Sequence, residues 1–170
     1  MNGVGVQVRR EQPGDVNAIR MVNEAAFGRP DEADLVDRLR GAGTVLGSFV
    51  AEQQSSIVGH ILFTRTIIDA GAEPVPSVAL APLAVLPMHQ SLGIGSEMVR
   101  FGLDWLRTRG ERSVLVLGHP HYYSRFGFST GRAASLVTPF PRDAFMALEL
   151  VAGALDGIRG SVRYPAAFGL

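Results

Sequence analysis

The feature that most constrains the fold is a strand, a glycine-containing loop, a helix and a second strand in the middle of the chain. Val78 to Leu86 is mostly apolar on both faces, which is typical of a strand at the centre of a sheet. A helix is predicted from about Ile94 to Arg109, with Gly110 ending it. Ser113 to Leu117 is the next buried strand. Such a unit places its strands parallel with a right-handed crossover, which favours an α/β protein.

Shorter elements are predicted before this unit. Alternating valines from Val4 to Val8 indicate a half-buried strand. Two helices follow, one opened by Asp15 as N-cap and the other from about Asp31 to Arg40. The apolar face of the first helix comprises Val16, Ile19, Met21, Val22 and Phe27. Strands at Ser48 to Glu52 and Ile57 to Ile68, separated by a polar turn, predict a hairpin.

The last third of the chain has weaker patterns. A short helix is predicted around Tyr122 to Phe126, and Gly127 ends it. Strands are predicted at Ala147 to Leu150 and at Gly160 to Tyr164. No repeat or linker interrupts the sequence, so residues 1–170 are expected to form a single domain.

Composition excludes several functional classes. The 16 basic and 16 acidic residues balance, which does not suggest nucleic-acid binding by bulk charge. There are no cysteines, so disulfides, thiolate zinc sites and a cysteine nucleophile are excluded. The four histidines lack metal-ligand spacing, and we expect no metal. The first residues do not resemble a signal peptide, and the apolar stretch Ser77 to Met88 is too short to cross a membrane. A cytoplasmic protein is therefore the expectation.

The loop between the strand and the helix has the features of an anion site. It reads Gln90-Ser91-Leu92-Gly93-Ile94-Gly95. The first N–H groups of a helix lack partners within the helix and lie at the positive end of its dipole. Gly93 and Gly95 have no Cβ, so a phosphate can approach the backbone closely. A plain turn with flexible glycines is the alternative reading of these residues.

Two familiar phosphate motifs do not match this loop. A Walker loop needs Lys followed by Ser or Thr, which is absent here. The dinucleotide motif needs a third glycine, but Gly95 is followed by Ser96-Glu97-Met98. Nucleoside triphosphates and dinucleotides are therefore disfavoured as ligands.

The segment from Val85 to Ser96 resembles the acetyl-CoA loop of the GNAT N-acetyltransferase superfamily, whose pattern is Gln/Arg-x-x-Gly-x-Gly/Ala. The resemblance implies a central mixed, mostly antiparallel sheet of about six or seven strands, splayed at the acetyl-CoA site and flanked by about four helices. It also implies that the strand before the loop pairs with pantetheine and that the loop amides hold the pyrophosphate. The implied cofactor-binding residues are Leu83, Ala84, Val85, Gln90, Ser91, Leu92, Gly93, Ile94, Gly95 and Ser96.

A second match lies downstream, where Tyr122 to Phe128 resembles the family's Tyr-x-x-x-Gly-Phe segment. In that register Tyr123 takes the position of a general acid that protonates the departing CoA thiolate. Tyr122 and Phe126 would contact the cofactor. Packing of Tyr123 as an amphipathic aromatic residue is the alternative.

Further similarity covers nearly the whole chain and is to a bacterial subgroup of predicted N-acetyltransferases. It includes Gly118 to Phe128, Phe145 to Leu150 and Tyr164 to Phe168. One departure concerns an Asn that many superfamily members have before the short helix. Here the region reads Gly118-His119-Pro120-His121, so any role of that Asn must be dropped or reassigned.

The general base is left open by the sequence. The attacking amine must lose a proton, which a carboxylate, a histidine or a water chain can accept. The candidates are Glu24, Asp31, Glu32, His60, His89, His119 and His121. For the carboxylates, the alternative is a solvated helix charge or cap. For His119 and His121 it is polar packing in a loop, for His60 a core or surface position, and for His89 contact with phosphate or solvent.

The resemblance implies an enzyme that transfers the acetyl group of acetyl-CoA to a primary amine by direct attack in a ternary complex. The alternative is a non-catalytic acyl-CoA sensor or interaction module with the same fold. Neither the acyl group nor the amine acceptor follows from the sequence, and formation of a homodimer is left open. No nucleic-acid or membrane partner is expected.

Overall fold

The computed structural model describes residues 5–170, which form a mixed α/β fold with four helices and one eight-stranded sheet. The helices are α1 (Val16–Phe27), α2 (Asp31–Gly41), α3 (Ile94–Thr108) and α4 (Pro120–Tyr123). The strands are β1 (Gln7–Arg10), β2 (Val45–Gln53), β3 (Ser56–Asp69), β4 (Pro74–Val85), β5 (Ser113–Leu117), β6 (Leu136–Val137), β7 (Phe145–Glu149) and β8 (Gly160–Arg163).

The sheet has the strand order β1-β2-β3-β4-β5-β7, and β8 pairs with both β3 and β6. The pairs β4–β5 and β6–β8 are parallel, whereas β1–β2, β3–β8 and β5–β7 are antiparallel. The predicted mixed, splayed and mostly antiparallel sheet with four helices is confirmed. The sheet has more strands than predicted because the two-residue β6 is too short to leave a periodic pattern in the sequence.

Contacts divide the chain into two compact units, and the single domain over residues 1–170 stays a prediction. The first unit comprises the described residues up to Phe63 together with Pro82–Gly102. The second comprises Thr64–Ala81 and Leu103–Leu170.

In the first unit, two glycines allow α3 to lie close against β3. A Cβ built on Gly59 would lie 2.6 Å from the Cε of Met98, and one built on Gly102 would overlap the ring of Phe63. Met98 and Phe63 are fully buried. A methyl group at Gly102 would displace the buried ring of Phe63, and one at Gly59 would displace the end of the Met98 side chain.

The start of the first unit departs from the sequence prediction in three respects. The observed β1 is Gln7–Arg10, and Val4 lies outside the described residues. Asp15 is the N-cap residue of α1, as predicted, but its side chain makes no hydrogen bond to that helix; it accepts from Arg9 at 2.7 Å and from the Gln12 N–H at 2.7 Å. The predicted apolar face is wrong at two positions, since Met21 is 68% exposed and Phe27 40% exposed.

The second unit is built on the parallel pair β4–β5. Its register joins Val78–Leu80 to Val114–Val116, as the strand–helix–strand pattern predicted. A buried hydrogen bond of 2.7 Å between the hydroxyls of Ser77 and Ser113 connects the two strands. One face packs into an apolar cluster of Ile68, Leu115, Ala133, Leu136, Phe145, Ala147, Leu155 and Val162.

The hairpin of β2 and β3 is confirmed, and its turn contains two non-glycine residues in the left-handed region. Gln54 has a φ of 50° and Ser55 a φ of 64°. A two-residue loop with positive φ at both positions is a type I′ turn, which favours Asn-Gly because other side chains are strained there.

We therefore expect the double substitution Gln54→Asn with Ser55→Gly to stabilise the protein by about 1 kcal/mol, or about 2–4 °C in Tm. Thermal unfolding followed by circular dichroism measures the change. The matched control places the same residues one position outside the turn, Gln53→Asn with Ser56→Gly, and should not raise Tm. An unchanged or lower Tm in the turn variant would contradict the strain argument.

Candidate functional site

The predicted phosphate loop joins β4 to α3 within the first unit. A short 3-10 turn, Pro87–His89, follows the strand, and α3 begins at Ile94. The Gln90 side chain donates from Nε2 to the carbonyl of Val85 at 3.0 Å, which ties the loop back to the strand end. Ser91 with a φ of 62° and Gly93 with a φ of 84° turn the chain into the helix.

The amino terminus of α3 offers unused hydrogen-bond donors. The N–H of Glu97 donates to the carbonyl of Gly93 at 3.0 Å. The N–H groups of residues 94–96 precede that bond and have no acceptor within the helix. They lie at the positive end of the dipole of a 15-residue helix, which favours an anion there by about 0.3–1 kcal/mol at an exposed site.

The side chains around this terminus divide into an anchoring set and an exposed set. Ile94 and Ser96 are buried, so they fix the first helical turn to the unit. Met88 and Leu92 are 91% and 69% exposed. In the strand before the loop, Ala84 is buried and its neighbours Leu83 and Val85 are half-buried. The predicted strand and loop residues thus form one continuous segment that leads into α3.

Gly93 is required by backbone conformation, since a Cβ there would meet no atom within 4 Å. Gly93→Ala is expected to cost about 1 kcal/mol, the conformational penalty of an L-residue in the left-handed region. Gly41→Ala is the matched control, because Gly41 also has open space but ends α2 with an ordinary φ. Urea unfolding should show a loss of stability for the first and none for the second; equal effects would contradict the assignment.

In the second unit, Tyr123 lies at the end of α4 in a cluster of aromatic rings. Its ring centroid is 5.0 Å from that of Tyr122 and 5.7 Å from that of Phe128, both in edge-to-face geometry. Phe126 packs on Tyr122 at 5.4 Å, and the Arg125 guanidinium lies 4.9 Å from the Tyr122 ring centre. Tyr122, Tyr123 and Phe126 are therefore brought together by the structure.

Burial changes the acid strength of Tyr123, which is 8% exposed. Desolvation raises the pKa of its phenol well above the ordinary value, and the neighbouring Tyr122 adds to the effect. The phenol is therefore protonated throughout the neutral range. Its proton is available as a hydrogen-bond donor or a general acid, although the raised pKa makes it a weaker acid than an exposed tyrosine.

The histidines proposed as bases differ in their surroundings. His119 and His121 are exposed at the start of α4. His60 is fully buried in β3 of the first unit and is a core residue. Its Nδ1 lies 3.0 Å from the Nδ2 of Asn23, and its Nε2 lies 2.9 Å from the Oγ of Ser48. His60 thus links α1 to the hairpin, and the sequence analysis missed both partners because each is a single polar residue without a motif.

The hydrogen bonds of His60 define its tautomer. The Asn23 amide nitrogen also donates to the carbonyl of Ile19 at 2.9 Å, so it is a donor and His60 Nδ1 accepts from it. The proton is therefore on Nε2, which donates to Ser48. Burial lowers the pKa of His60 to about 3, with a smaller contribution from the Arg40 charge.

His60 should make folding stability depend on pH. The unfolded chain binds a proton near the ordinary histidine pKa of about 6.5, whereas the folded protein does not until about pH 3. The free energy of unfolding should therefore fall as pH falls below 6.5, by up to about 1.4 kcal/mol per pH unit. Chemical denaturation between pH 6.5 and 4.5 should show a shallower dependence of the unfolding free energy on pH in His60→Gln.

The exposed-site control His121→Gln should retain the wild-type slope of unfolding free energy against pH. A wild-type slope in His60→Gln would refute the assignment.

The candidate carboxylates around the α1–α2 junction are ion-paired. Glu24 lies 2.9 Å from Arg20, and Glu32 accepts a 2.5 Å hydrogen bond from Arg29. The Arg29 contact lowers the pKa of Glu32. Asp31 lies 3.8 Å from the same Arg29. The lowered pKa makes Glu32 a weaker base than a free carboxylate, which disfavours it for proton abstraction in this arrangement.

Neither a metal-binding cluster nor a membrane-spanning helix is found among the described residues. Over residues 5–170, no cluster of three or more His, Asp or Glu side chains could hold a metal ion. In the same residues, no helix is both long enough and apolar enough to span a bilayer.

Comparison with known families gives a match over most of the chain. Residues 7–131 match the family model described as an acetyltransferase (GNAT) domain. The sequence is 43% identical over 117 residues to a protein named N-acetyltransferase YjhQ of Escherichia coli K12. That alignment covers 67% of this chain and 64% of the relative, so the chain spans slightly less than two thirds of that relative's length.

Two solved structures are similar over nearly the whole chain. One is the GNAT family N-acetyltransferase YhbS from Escherichia coli in complex with CoA, with a TM-score of 0.92 and 31% identity. The alignment covers 100% of this chain and 95% of that one. The other is a GNAT family acetyltransferase from Brucella melitensis in complex with acetyl-CoA, with a TM-score of 0.81 and 36% identity. It covers 98% of this chain and 99% of that one.

Proposed function

The chain belongs to the GNAT acetyltransferase family, and from this we propose that it transfers the acetyl group of acetyl-CoA directly to a primary amine in a ternary complex. The observation that carries the proposal is the start of α3. There a loop with positive φ at Ser91 and Gly93 leads into a helix whose first N–H groups have no intrahelical acceptor. This arrangement fits the pyrophosphate of CoA.

In the proposal, the cofactor's phosphates bind the loop and the first turn of α3. Each N–H donated to a phosphate oxygen is a charge-assisted hydrogen bond, which is stronger than a bond between neutral groups. The residues assigned to this role are Gln90, Ser91, Leu92, Gly93, Ile94, Gly95 and Ser96. Bound CoA and acetyl-CoA in two solved relatives support the ligand.

The strand before the loop is assigned to the pantetheine arm. Pro82 has no N–H, and the register of β4 with β5 covers Val78–Leu80 only. The backbone of Leu83, Ala84 and Val85 follows that register and is proposed to pair with the amides of pantetheine. Tyr122 and Phe126 are proposed to contact the cofactor through their rings, and the sequence resemblance supports this.

Tyr123 is proposed as the general acid. The amine nitrogen attacks the thioester carbonyl carbon and a tetrahedral intermediate forms. Its collapse breaks the C–S bond, and the CoA sulfur leaves with the bonding pair and receives the phenol proton. The amine's proton goes to a base that is not assigned. The phenol carries its proton at neutral pH, as the role requires, and its burial, which raises the pKa, makes it a weaker acid than an exposed tyrosine.

The second candidate function is a non-catalytic acyl-CoA sensor with the same fold. It is favoured by the pairing of Glu32 with Arg29, which lowers the pKa of that carboxyl and makes it a weaker base. A screen of amines that measures release of the free CoA thiol separates the two, since a sensor releases none. A cytoplasmic location stays a prediction, and the identity of the acceptor, the acyl preference and formation of a homodimer are left open.

Isothermal titration calorimetry with acetyl-CoA tests the binding site. We expect saturable binding to the wild type and about tenfold weaker binding to Gly93→Ala, because the variant misdirects the N–H groups that follow. Gly41→Ala, in α2, should bind as the wild type does. Absence of binding to the wild type at high micromolar acetyl-CoA would contradict the proposed donor.

The acid role is tested by Tyr123→Phe, which retains the ring and removes the proton. Turnover of the best amine in the screen should fall about 10²–10⁴-fold with little change in the KM for acetyl-CoA. Tyr164→Phe, whose ring packs on Phe140 and Phe168 in the second unit, is the control and should retain activity. If Tyr123→Phe turns over at the wild-type rate, the acid role is wrong and the transferase assignment is unaffected.

A further inference from the structure

Gly118, directly after β5, lies beneath the ring of Tyr123. A Cβ built on Gly118 would lie 2.5 Å from Cε2 and 3.0 Å from Cδ2 of that ring. Real carbon atoms in contact are about 3.5–4.0 Å apart, so any side chain at position 118 must displace the ring or the backbone. The ring of Tyr123 therefore packs directly against the backbone of Gly118.

Close approach is the reason for glycine at this position, since the backbone conformation does not require it. Gly118 is absent from the set of glycines with positive φ, which in the same unit includes Gly110 and Gly127. Another residue could therefore adopt its φ. Only the space occupied by Tyr123 excludes one.

The surrounding structure leaves little freedom for either partner. The Gly118 N–H donates to the carbonyl of Ala144 at 3.0 Å, which holds the backbone of Gly118 beside β7. The Tyr123 N–H donates to the carbonyl of His119 at 3.1 Å. Tyr122 and Phe128 pack edge-on against the ring of Tyr123. A ring that is displaced from Gly118 must therefore move its phenol oxygen.

We propose that Gly118 is a positioning residue for the reaction: its missing side chain sets the place of the Tyr123 phenol. This inference rests on the proposed function of Tyr123 as general acid. The region is also where the chain departs from the family in lacking an Asn before the short helix. In this proposal the region acts sterically, through the missing side chain of Gly118, and needs no polar side chain.

The kinetic test is Gly118→Ala, with Gly131→Ala as control. A Cβ on Gly131 meets only the Ser129 hydroxyl at 3.9 Å, an ordinary contact in the same unit. A displacement of about 1 Å at a reacting group costs up to about 100-fold in rate. We expect kcat to fall about 10–100-fold in Gly118→Ala, with the KM for acetyl-CoA within about twofold of the wild type. Gly131→Ala should retain the wild-type kcat.

A double-mutant cycle separates positioning from a general structural effect. In the Tyr123→Phe background the phenol is gone, so Gly118→Ala should lower the residual kcat by less than about twofold. If Gly118 acts only on folding or on the strand end, the substitution should lower kcat equally in both backgrounds. That outcome would overturn the proposal.

A spectroscopic measurement tests the geometry without an acceptor. In protein labelled with ¹³C at the tyrosine Cζ, Gly118→Ala should shift the Tyr123 resonance and leave that of Tyr164 in place. An unshifted Tyr123 resonance would overturn the inference. If the resonance shifts but Tyr123→Phe retains the wild-type kcat, the placement by Gly118 stands and the acid role in the proposed function fails. The two failures are therefore distinguishable.

Discussion

The backbone N–H groups at the start of a helix have no acceptor within that helix, and the segment from β4 to α3 is organised around this constraint. The turn that reverses the chain needs left-handed conformations at Ser91 and Gly93. Gln90 holds the turn to the end of the strand. Buried Ile94 and Ser96 then fix the first helical turn, so the donors without an intrahelical acceptor are held in an anchored position. An anion is the partner that such an end favours most.

Close packing of a side chain against a glycine occurs in both units of this protein. Gly59 and Gly102 allow α3 to lie against β3 in the first unit, and Gly118 allows Tyr123 to lie against the strand end in the second. In each case the space that a Cβ would occupy is filled by a side chain of the partner, namely the Met98 thioether or the ring of Phe63 or Tyr123. The glycine backbone in such a contact cannot change rotamer. It therefore fixes the position of the partner group more tightly than a flexible side chain would. The proposed binding helix α3 and the proposed acid Tyr123 are both held by such contacts.

The sequence predicted the elements that have strong local patterns. The strand–helix–strand unit, the hairpin and α2 were found because their apolar periodicities are long and their ends are marked by glycine or polar turns. It was wrong at Met21 and Phe27, where apolar residues face solvent, and it made no prediction for Asn23, a polar residue that is buried. Those outcomes depend on which side of α1 meets the hairpin, and that is a tertiary property. β6 was missed because two residues carry no periodicity.

Part of the candidate site could also be predicted from local patterns in the sequence. The loop from Gln90 to Ser96 could be identified because its chemistry depends on local order, namely glycines before a helix. The partners of His60, which are distant in the sequence, could not. The contact between Gly118 and the Tyr123 ring could not be predicted either. Gly118 is one glycine among 20 in the chain, and only the fold shows which side chain packs on it.

The most direct test of this account is a crystal structure of the protein with CoA. The account predicts pyrophosphate oxygens within about 3 Å of the backbone nitrogens of residues 94–96, the distance of a charge-assisted hydrogen bond. CoA phosphates bound at any other surface, with the amino terminus of α3 facing only solvent, would contradict it.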